Sequence, residues 1–296
     1  MNILVTGSTG FLGRTIVQFL EGNDIITLGR SNCSIVCDLS EMIPINIPEV
    51  KLVIHAAGRA HCGTRSQADK DMYYKVNVNG TKNLLLGLER TGIPERFVFI
   101  SSVAVYGRDS GLDINESSPV MAMDAYGLSK IHAENLVLDW CKKYNVTCTI
   151  LRLPLVLGTN PPGNLGVLIN SIRNGYYFNI DGGKAKKSMV LADDIAGFII
   201  KVSKVGGVFN LTDGYHPSFG ELTFQISRQL GKRKPRNIPF WFAKSLAFLC
   251  EILCKDAYFN TGKLIKMTSD LTFDDSKARE TFGWDPTPAL IGFKVE

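Results

Sequence analysis

The sequence has no hydrophobic run long enough to cross a bilayer. A membrane-spanning helix needs about 20 consecutive apolar residues, and the most apolar stretch, Phe240 to Cys254, is shorter and carries Lys244 and Glu251. We expect no membrane span and a packed helix there, with a membrane-surface or dimer helix as the alternatives. We also expect no signal peptide, because Asn2 to Val5 already has the pattern of a core strand.

Paired metal-ligand spacing and an even cysteine count are also missing. The seven cysteines favour reduced thiols in a cytoplasmic protein, with no disulfide framework and no metal site. The net charge is only +5, and Lys and Arg are dispersed apart from short clusters within 184–187 and 228–234. This distribution suits an anionic small molecule and argues against a nucleic-acid partner. There is no internal repeat and no low-complexity tract.

What the chain does contain is a regular alternation of short β-type runs with helical segments. Strands that alternate with helices predict an α/β fold with a doubly wound parallel sheet, the Rossmann arrangement. We assign residues 1–157 to this NAD(P)-binding domain. The predicted strands are Asn2 to Val5, Ile25 to Leu28, Leu52 to His55, Phe97 to Ile100 and Thr147 to Leu151.

After Arg152 the alternation becomes less regular. The segment Gly158 to Gly166 concentrates turn-forming residues and predicts a long exposed connection. We assign residues 158–296 mainly to a smaller substrate-binding lobe. Within it, Val190 to Val202 has the pattern of a helix and Val208 to Leu211 that of a strand. The part at about 190–212 is therefore expected to return to the first domain.

Three glycines follow the first strand and open the first helix. Gly7, Gly10 and Gly13 suit a tight turn, a close approach of backbone to a pyrophosphate, and close packing of helix on strand, in that order. Free N–H groups at the helix N-terminus would meet the phosphates. A purely structural turn is the alternative, but the order of strand, turn and helix favours a dinucleotide site.

The Thr6-Gly7-Ser8-Thr9-Gly10 spacing resembles the short-chain dehydrogenase/reductase superfamily, and Gly10-Phe11-Leu12-Gly13 resembles its extended branch, the NAD-dependent epimerase/dehydratases. The resemblance implies NAD or NADP as cofactor. Arg30 stands where an NAD enzyme usually has an acid, which favours NADP unless Arg30 is a solvated surface charge. The cofactor-binding residues that we expect are Gly7, Thr9, Gly10, Phe11, Leu12, Gly13, Arg30, Asp38, Leu39, Ala56, Ala57, Gly58, Asn77, Tyr126, Lys130 and Leu153.

Tyr126 and Lys130 are spaced to lie on one helix face, one turn apart. A tyrosine hydroxyl, with a pKa near 10 in water, becomes a useful base when a nearby cation stabilises the phenolate. Ser101 and Ser102 follow the predicted fifth strand, and the segment through Val105-Tyr106-Gly107 resembles the extended family's serine loop. The resemblance assigns Ser102 to a catalytic triad with Tyr126 and Lys130, and Asn77 to a supporting position.

The resemblance also implies a nucleotide-sugar substrate. Ser102, Asn164, Leu165 and Lys187 match its substrate-binding positions. Related dehydratases carry Thr-Asp-Glu where this chain has Ser102-Val103-Ala104, so dehydration lacks its acid and base. Leu155 stands where UDP-galactose 4-epimerases have an asparagine, so one phosphate contact is expected to be missing.

Three functions remain open at this level. The first is a 4-epimerase that works on a UDP-linked hexose or N-acetylhexose through a 4-keto intermediate. The second is an NADP-dependent 4-keto nucleotide-sugar reductase, which Arg30 favours. The third is a non-catalytic NAD(P) sensor, against which the intact Ser102, Tyr126 and Lys130 argue. The family resemblance suggests a homodimer.

Overall fold

The computed structural model describes residues 1–60, 66–253 and 260–295. Its strands are β1 (Asn2–Thr6), β2 (Asp24–Gly29), β3 (Ile35–Val36), β4 (Leu52–His55), β5 (Arg96–Ser102), β6 (Gly111–Ile114), β7 (Thr147–Leu153), β8 (Leu155–Leu157), β9 (Phe178–Ile180), β10 (Met189–Leu191), β11 (Gly207–Asn210), β12 (Arg236–Ile238) and β13 (Leu271–Phe273).

The helices alternate with these strands. They are α1 (Phe11–Phe19), α2 (Gln67–Tyr73), α3 (Gly80–Thr91), α4 (Ala125–Tyr144), α5 (Gly163–Arg173), α6 (Ala192–Val202), α7 (Phe219–Gln229), α8 (Phe240–Leu253), α9 (Thr261–Thr268), α10 (Ser276–Phe282) and α11 (Ala289–Gly292). A π-helical segment, Tyr74–Asn79, joins α2 to α3, and 3₁₀ turns occupy Val103–Tyr106 and Asp181–Gly183.

Seven parallel strands form the central sheet, in the order β11-β7-β5-β4-β1-β2-β3. The order reverses direction between β1 and β4, and ligands of doubly wound sheets bind outside the carboxyl ends of the strands at such a point. The predicted Rossmann-type α/β fold is thereby confirmed. The five predicted strands are also confirmed, each within two residues of its observed ends.

The apolar side chains of these strands are buried on both faces of the sheet. Ile3 and Val5 of β1 contribute to one core cluster, together with Ile16 of α1, whereas Leu4 of β1 and Leu84 of α3 belong to the cluster on the opposite face. Alternating side chains of one strand therefore enter two different cores, which is why the strands have nearly continuous apolar sequences.

The later part of the chain differs from expectation in two places. Val190 and Leu191 lie in β10 and not in a helix, and α6 begins only at Ala192. The segment from Gly158 is an open connection only to Pro162, because α5 begins at Gly163. Further along the chain, β11 pairs with β7 at the edge of the central sheet.

The two clusters that cover the sheet form a first core, and a second core cluster lies apart from them. It is formed by α5, α7 and α11 with β8 and β10, and includes Leu157, Leu165, Leu222 and Phe293. The C-terminal residues contribute to both cores. Phe282 and Trp284 pack with the central sheet, whereas Ala289 and Phe293 belong to the second core cluster. Three small parallel pairs, β8–β10, β9–β12 and β6–β13, are separate from the main sheet.

Helix α8 covers most of the predicted Phe240 to Cys254 segment, while Cys254 itself, like Cys62, lies outside the described residues. Among the described helices none is both long and apolar enough to cross a bilayer. The packing of α8 differs from expectation: Ala243 and Ala247 are its buried residues, whereas Trp241 and Phe248 are exposed.

Candidate active site

The glycine turn forms a cradle that only glycine permits at two positions. Gly7 has a φ of +72°, and a Cβ there would lie 2.6 Å from the amide nitrogen of Ala57. A Cβ on Gly13 would collide with the carbonyl oxygen of Gly7. The amide of Gly10 donates to that same oxygen at 2.9 Å. The turn therefore presses α1 against β1 and against the loop that contains Ala56 and Ala57.

The N-terminus of α1 is open to an anionic ligand. Gly10 is its N-cap, and no side chain accepts hydrogen bonds from the first amides of the helix. Uncapped N–H groups at a helix start bind phosphate well, since they donate and lie at the positive end of the helix dipole. Thr9 and Gly10 are exposed, and Phe11 and Leu12 are half-buried. The cradle fits the pyrophosphate of a dinucleotide.

Arg30 and Asp38 lie at the outer edge of this cradle. Arg30 follows β2 and is exposed. Hydrogen bonding from Ser40, whose hydroxyl lies 2.7 Å from the Asp38 carboxylate, lowers the pKa of Asp38, and the charges of Arg30 and Lys75 lower it further. Asp38 therefore stays ionised close to Arg30. The neighbouring Leu39 is buried against the sheet.

Asn77 supports the loop below the cradle. It lies in the π-helical segment, a deformation that is frequent at functional sites. Its amide nitrogen donates to Ser129 Oγ at 2.8 Å and to the Arg59 carbonyl at 3.1 Å, while its oxygen accepts from the Arg59 amide at 2.7 Å. Asn77 thus ties the loop after Gly58 to α4, and supports the site through these two elements.

Ser102 and Tyr126 come together at the carboxyl end of β5. Asp124 caps α4 by accepting from the amides of Tyr126 and Gly127, at 3.1 and 3.0 Å. Burial raises the pKa of Tyr126, and a hydrogen bond with Ser102 opposes this rise. Tyr73, whose ring centroid lies 5.7 Å from that of Tyr126, contributes to the raised pKa. The Ser102 and Tyr126 hydroxyls are therefore neighbours in the site.

Lys130 is buried one helical turn beyond Tyr126. Its ammonium donates to the Ile100 carbonyl at 2.7 Å and lies 4.5 Å from the centroid of the Phe99 ring. Burial lowers the pKa of Lys130 to about 8, and the charge of Glu134 opposes that shift. In this structure the group that lowers the pKa of Tyr126 is the Ser102 hydroxyl, while Lys130 is held on β5.

Ser101 belongs to a buried polar network and not to the exposed edge of the site. Its hydroxyl donates to Glu134, which also accepts from Arg152 Nη2 at 2.7 Å. Arg152 further donates to the Tyr106 hydroxyl at 3.1 Å, which in turn donates to Asn210 at 2.8 Å. All five side chains are buried. The Ser101 hydroxyl is therefore already committed to Glu134.

Glu134 is the residue of this region that the sequence argument missed. It is the charged side chain that opposes the lowered pKa of Lys130, and it holds Ser101 and Arg152 in place. A signal was present, because Tyr126, Lys130 and Glu134 follow one another at intervals of four and share one face of α4. A glutamate on an amphipathic helix, however, is usually a solvated surface charge.

The predicted substrate residues differ in how they are placed. Asn164 is exposed in the first turn of α5, whereas the side chain of Leu165 is buried in the second core, so only its backbone amide faces the helix start. The ammonium of Lys187 donates to the carbonyls of Lys266 and Ser269, at 2.9 and 2.8 Å, and stabilises the end of α9. Leu155 packs against the second core.

His55 and Leu153 complete the floor of the site. His55 is enclosed between Thr6 Oγ1 at 2.6 Å and Thr81 Oγ1 at 2.9 Å, and burial lowers its pKa to about 3. It is therefore neutral and structural. Leu153 lies in register with Ser102 across β5 and β7 and is buried. Val103 and Ala104, which follow Ser102, provide no acidic group.

The chain is similar to one group of enzymes over most of its length. A sequence profile described as the NAD dependent epimerase/dehydratase family matches residues 3–211. A UDP-glucose 4-epimerase from Vibrio cholerae is 27% identical, over 99% of this chain and 93% of that protein. An Escherichia coli O157:H7 protein, N-acetyl-alpha-D-glucosaminyl-diphospho-ditrans,octacis-undecaprenol 4-epimerase, is 30% identical, over 90% of this chain and 83% of that protein.

The fold is also shared with solved structures of low sequence identity. MoeE5, solved in complex with UDP-glucose and NAD, superposes with a TM-score of 0.76 at 21% identity, over 99% of this chain and 96% of that one. At this identity the likeness concerns the fold.

Proposed function

Because the chain belongs to the NAD-dependent epimerase/dehydratase family, we propose that it is a nucleotide-sugar epimerase, which inverts C4 of a UDP-linked hexose or N-acetylhexose. The observation that carries this proposal is the hydroxyl pair of Ser102 and Tyr126 at the carboxyl end of β5, in a site with no acidic group at Val103 or Ala104. These two hydroxyls suffice for proton transfer on a sugar alcohol, whereas dehydration would need an additional acid and base, which the site lacks at Val103 and Ala104.

The residues of the cradle fit NAD or NADP. Gly7, Gly10 and Gly13 would hold the pyrophosphate at the start of α1, and Arg30 and Asp38 would flank the adenosine. A bound nicotinamide would accept the hydride from C4 of the sugar and return it to the opposite face of the 4-keto sugar. The other residues that we propose to contact the cofactor are Thr9, Phe11, Leu12, Leu39, Ala56, Ala57, Gly58, Asn77, Tyr126, Lys130 and Leu153.

Tyr126 is the proposed acid and base. Its phenolate takes the proton of the C4 hydroxyl. After the keto sugar has rotated in the site, the neutral tyrosine returns a proton to the C4 oxygen. Ser102 donates a hydrogen bond to that oxygen and keeps the Tyr126 hydroxyl in position. Lys130 contributes a positive charge on the same helix face and would lower the pKa of Tyr126 in the complex.

Substrate contacts are proposed at three further positions. The amide groups of Asn164 and Leu165 lie in the uncapped first turn of α5, where a diphosphate can bind. Lys187 can approach a phosphate only if it leaves the carbonyls at the end of α9. We therefore expect α5 to contribute more to substrate binding than Lys187. We further propose a homodimer, and the cytoplasm as its compartment, in keeping with free thiols at Cys33, Cys37, Cys141, Cys148 and Cys250.

The test is to incubate the purified chain with UDP-glucose and, separately, with UDP-N-acetylglucosamine, each with added NAD⁺. We expect the C4 epimer as product, identified by NMR, with no net change in NADH absorbance. The reductase alternative, which the exposed Arg30 supports, predicts instead that one NADPH is consumed for each 4-keto-6-deoxy sugar that is reduced. Tight NAD(P) binding without either reaction would identify a sensor.

A polyprenyl-diphosphate-linked N-acetylglucosamine is the second substrate to assay. The name of the Escherichia coli relative specifies a substrate of this kind. The exposed apolar residues of α8 favour it for this chain, because such a substrate resides in a membrane. The assay needs detergent micelles or vesicles that contain the lipid-linked sugar. Conversion of this substrate alone would replace UDP-sugars in the proposal while leaving the 4-epimerase chemistry unchanged.

A further inference from the structure

Helix α8 is packed with its small residues inward and its bulky residues outward. Ala243 and Ala247 face Leu264 of α9 in a small core cluster with Ile180 and Ile238. The opposite arrangement is usual, because large apolar side chains gain the most from burial. The exposed set, which we call the α8 apolar face, is Trp241, Phe242, Leu246, Phe248, Leu249 and Ile252.

The α8 apolar face forms a contiguous exposed apolar patch, which is unusual for a surface that faces water. Trp241 and Ile252 are 70% and 65% exposed, and Phe248 and Leu249, one turn before Ile252, are more than half exposed. Single exposed apolar residues are common on soluble proteins, whereas contiguous patches mark a surface that another body covers. With 14 residues, α8 is about 21 Å long and cannot cross a bilayer.

The chain that leads into α8 is basic. Arg228, Lys232, Arg233, Lys234 and Arg236 are exposed and precede the helix, and Lys244 is exposed on the helix itself. None of the six forms an ion pair with a described residue. In the described parts of 228–268 the single acidic residue is Glu251, whose carboxylate already accepts from Thr261.

An exposed apolar helix face that carries one lysine and follows a basic stretch of chain is complementary to the surface of an anionic bilayer. The apolar side chains can enter the boundary between headgroups and acyl chains, while Lys and Arg meet lipid phosphates. A second copy of this chain fits less well, because an isologous contact would bring the same basic residues face to face. Tryptophan and phenylalanine are also the residues favoured at membrane interfaces.

We propose that the α8 apolar face and the basic residues before it form a membrane-docking surface, which holds the protein on an anionic bilayer with α8 parallel to the membrane plane. The proposal does not depend on which sugar the enzyme converts. It also leaves the hydroxyl pair of Ser102 and Tyr126 unchanged, since neither residue contributes to this surface.

Trp241 provides a direct probe of docking. The other two tryptophans, Trp140 and Trp284, are 7% and 1% exposed, so a change in fluorescence upon addition of lipid reports mainly on Trp241. With vesicles of phosphatidylcholine and phosphatidylglycerol at 7:3, we expect a blue shift of the emission, quenching by brominated acyl chains, and co-sedimentation of the protein. Pure phosphatidylcholine vesicles, or high salt, should weaken all three.

Matched variants separate docking from general surface effects. The double variant Leu249→Ser/Ile252→Ser should lose at least tenfold in vesicle affinity, as should Lys232→Gln/Arg233→Gln/Lys234→Gln. The control Leu112→Ser/Ile291→Ser removes two apolar residues elsewhere that are even more exposed than Leu249 and Ile252, and it should stay within twofold of wild type. Circular dichroism and turnover of a soluble nucleotide sugar verify that each variant is folded.

Two results would overturn the proposal. One is the absence of co-sedimentation with anionic vesicles, or affinity that the α8 substitutions leave unchanged. The other is Trp241 emission that is already blue-shifted without lipid and shifts to the red, together with loss of a dimer in sedimentation analysis, in Leu249→Ser/Ile252→Ser. That outcome would assign the face to a second copy of the chain.

Discussion

Two opposing effects act on the pKa of Tyr126: burial raises it, and the neighbouring Ser102 hydroxyl lowers it. If Tyr126 is the acid and base, Tyr126→Phe removes the proton carrier and keeps the ring. General acid–base catalysis contributes about 10²- to 10⁴-fold, so we expect kcat to fall in that range. Titration of the variant with NAD⁺ and NADP⁺ should give dissociation constants close to wild type. Turnover near the wild-type value would remove Tyr126 from the site.

The two adjacent serines provide a matched pair of variants. Ser102→Ala removes the partner of Tyr126 and should lower kcat with little change in stability. Ser101→Ala leaves the buried Glu134 short of one donor, which typically costs about 1–3 kcal/mol of unfolding free energy, while the folded protein keeps its kcat. Urea unfolding and initial rates on both variants test this. The reverse pattern would mean that Ser101 is the reactive serine.

Lys130 couples the site to pH. Its pKa is about 8 in the fold and about 10.4 when exposed, so below pH 8 the folded protein must hold a buried charge. The free energy of unfolding therefore rises with pH from about 8 to 10.5, by about 3 kcal/mol for this group. Lys130→Met carries no such charge and lacks this rise. We expect its stability advantage over wild type to shrink as pH increases through that window.

Denaturant unfolding at several pH values between 7 and 10.5 measures this difference. Comparison with Lys130→Met cancels the titration of cysteines and other tyrosines, which both proteins share. A gap between the two proteins that stays constant with pH would contradict a lowered pKa for Lys130.

At the scale of the element, the strand–turn–helix unit around the glycines is the feature that sequence predicts best. The three glycines precede an amphipathic helix at fixed spacing, and this local order determines the backbone path. Gly13→Ala places a methyl group against the Gly7 carbonyl. Since this atom is backbone in a tight turn, we expect destabilisation of about 1–3 kcal/mol and cofactor affinity reduced at least tenfold.

Gly197→Ala is the control for that substitution. Gly197 lies inside α6, and its Cβ would meet only Phe19, at 3.7 Å. Alanine in place of glycine within a helix stabilises by about 0.5–1 kcal/mol, so thermal stability should rise slightly and cofactor binding should not change. Equal losses of cofactor affinity in both variants would indicate that the glycine turn has no special role.

Element boundaries after residue 157 were harder to predict than those before it. Val190 and Leu191 continue the apolar pattern of α6, so sequence alone merges them with the helix. In the structure they pair with β8. A short strand and a helix start cannot be separated by periodicity when both are apolar, and only the partner strand decides.

At the scale of the whole molecule, the central sheet is completed by residues far along the chain. Phe209 of β11, together with Phe282 and Trp284, packs in the same core as Ile3 and Ile16. Trp284 Nε1 also donates to the Thr212 carbonyl at 2.8 Å. A polypeptide of residues 1–157 would expose this core. We expect it to lack cooperative thermal unfolding and the near-ultraviolet circular dichroism of packed aromatics.

The matched control is the full-length chain under the same conditions. A cooperative transition in the 1–157 fragment would show that the six sheet strands β1–β5 and β7 suffice together with α1–α4, and that the later residues only cover them. The expected loss of cooperativity would mean that the central sheet is completed by segments distant in sequence, because α6, β11 and the C-terminal Phe282 and Trp284 pack on it.

Short-range spacing along a strand or helix predicted the α/β alternation and the glycine turn, and the family resemblance nominated Ser102 together with Tyr126 and Lys130. Tertiary structure decided that the Ser101 hydroxyl donates to Glu134, that Glu134 lies buried beside Lys130, and that α8 turns its bulky side outward. The reason is physical: spacing dictates which residues share a face, but burial and pKa depend on neighbours that are distant in sequence.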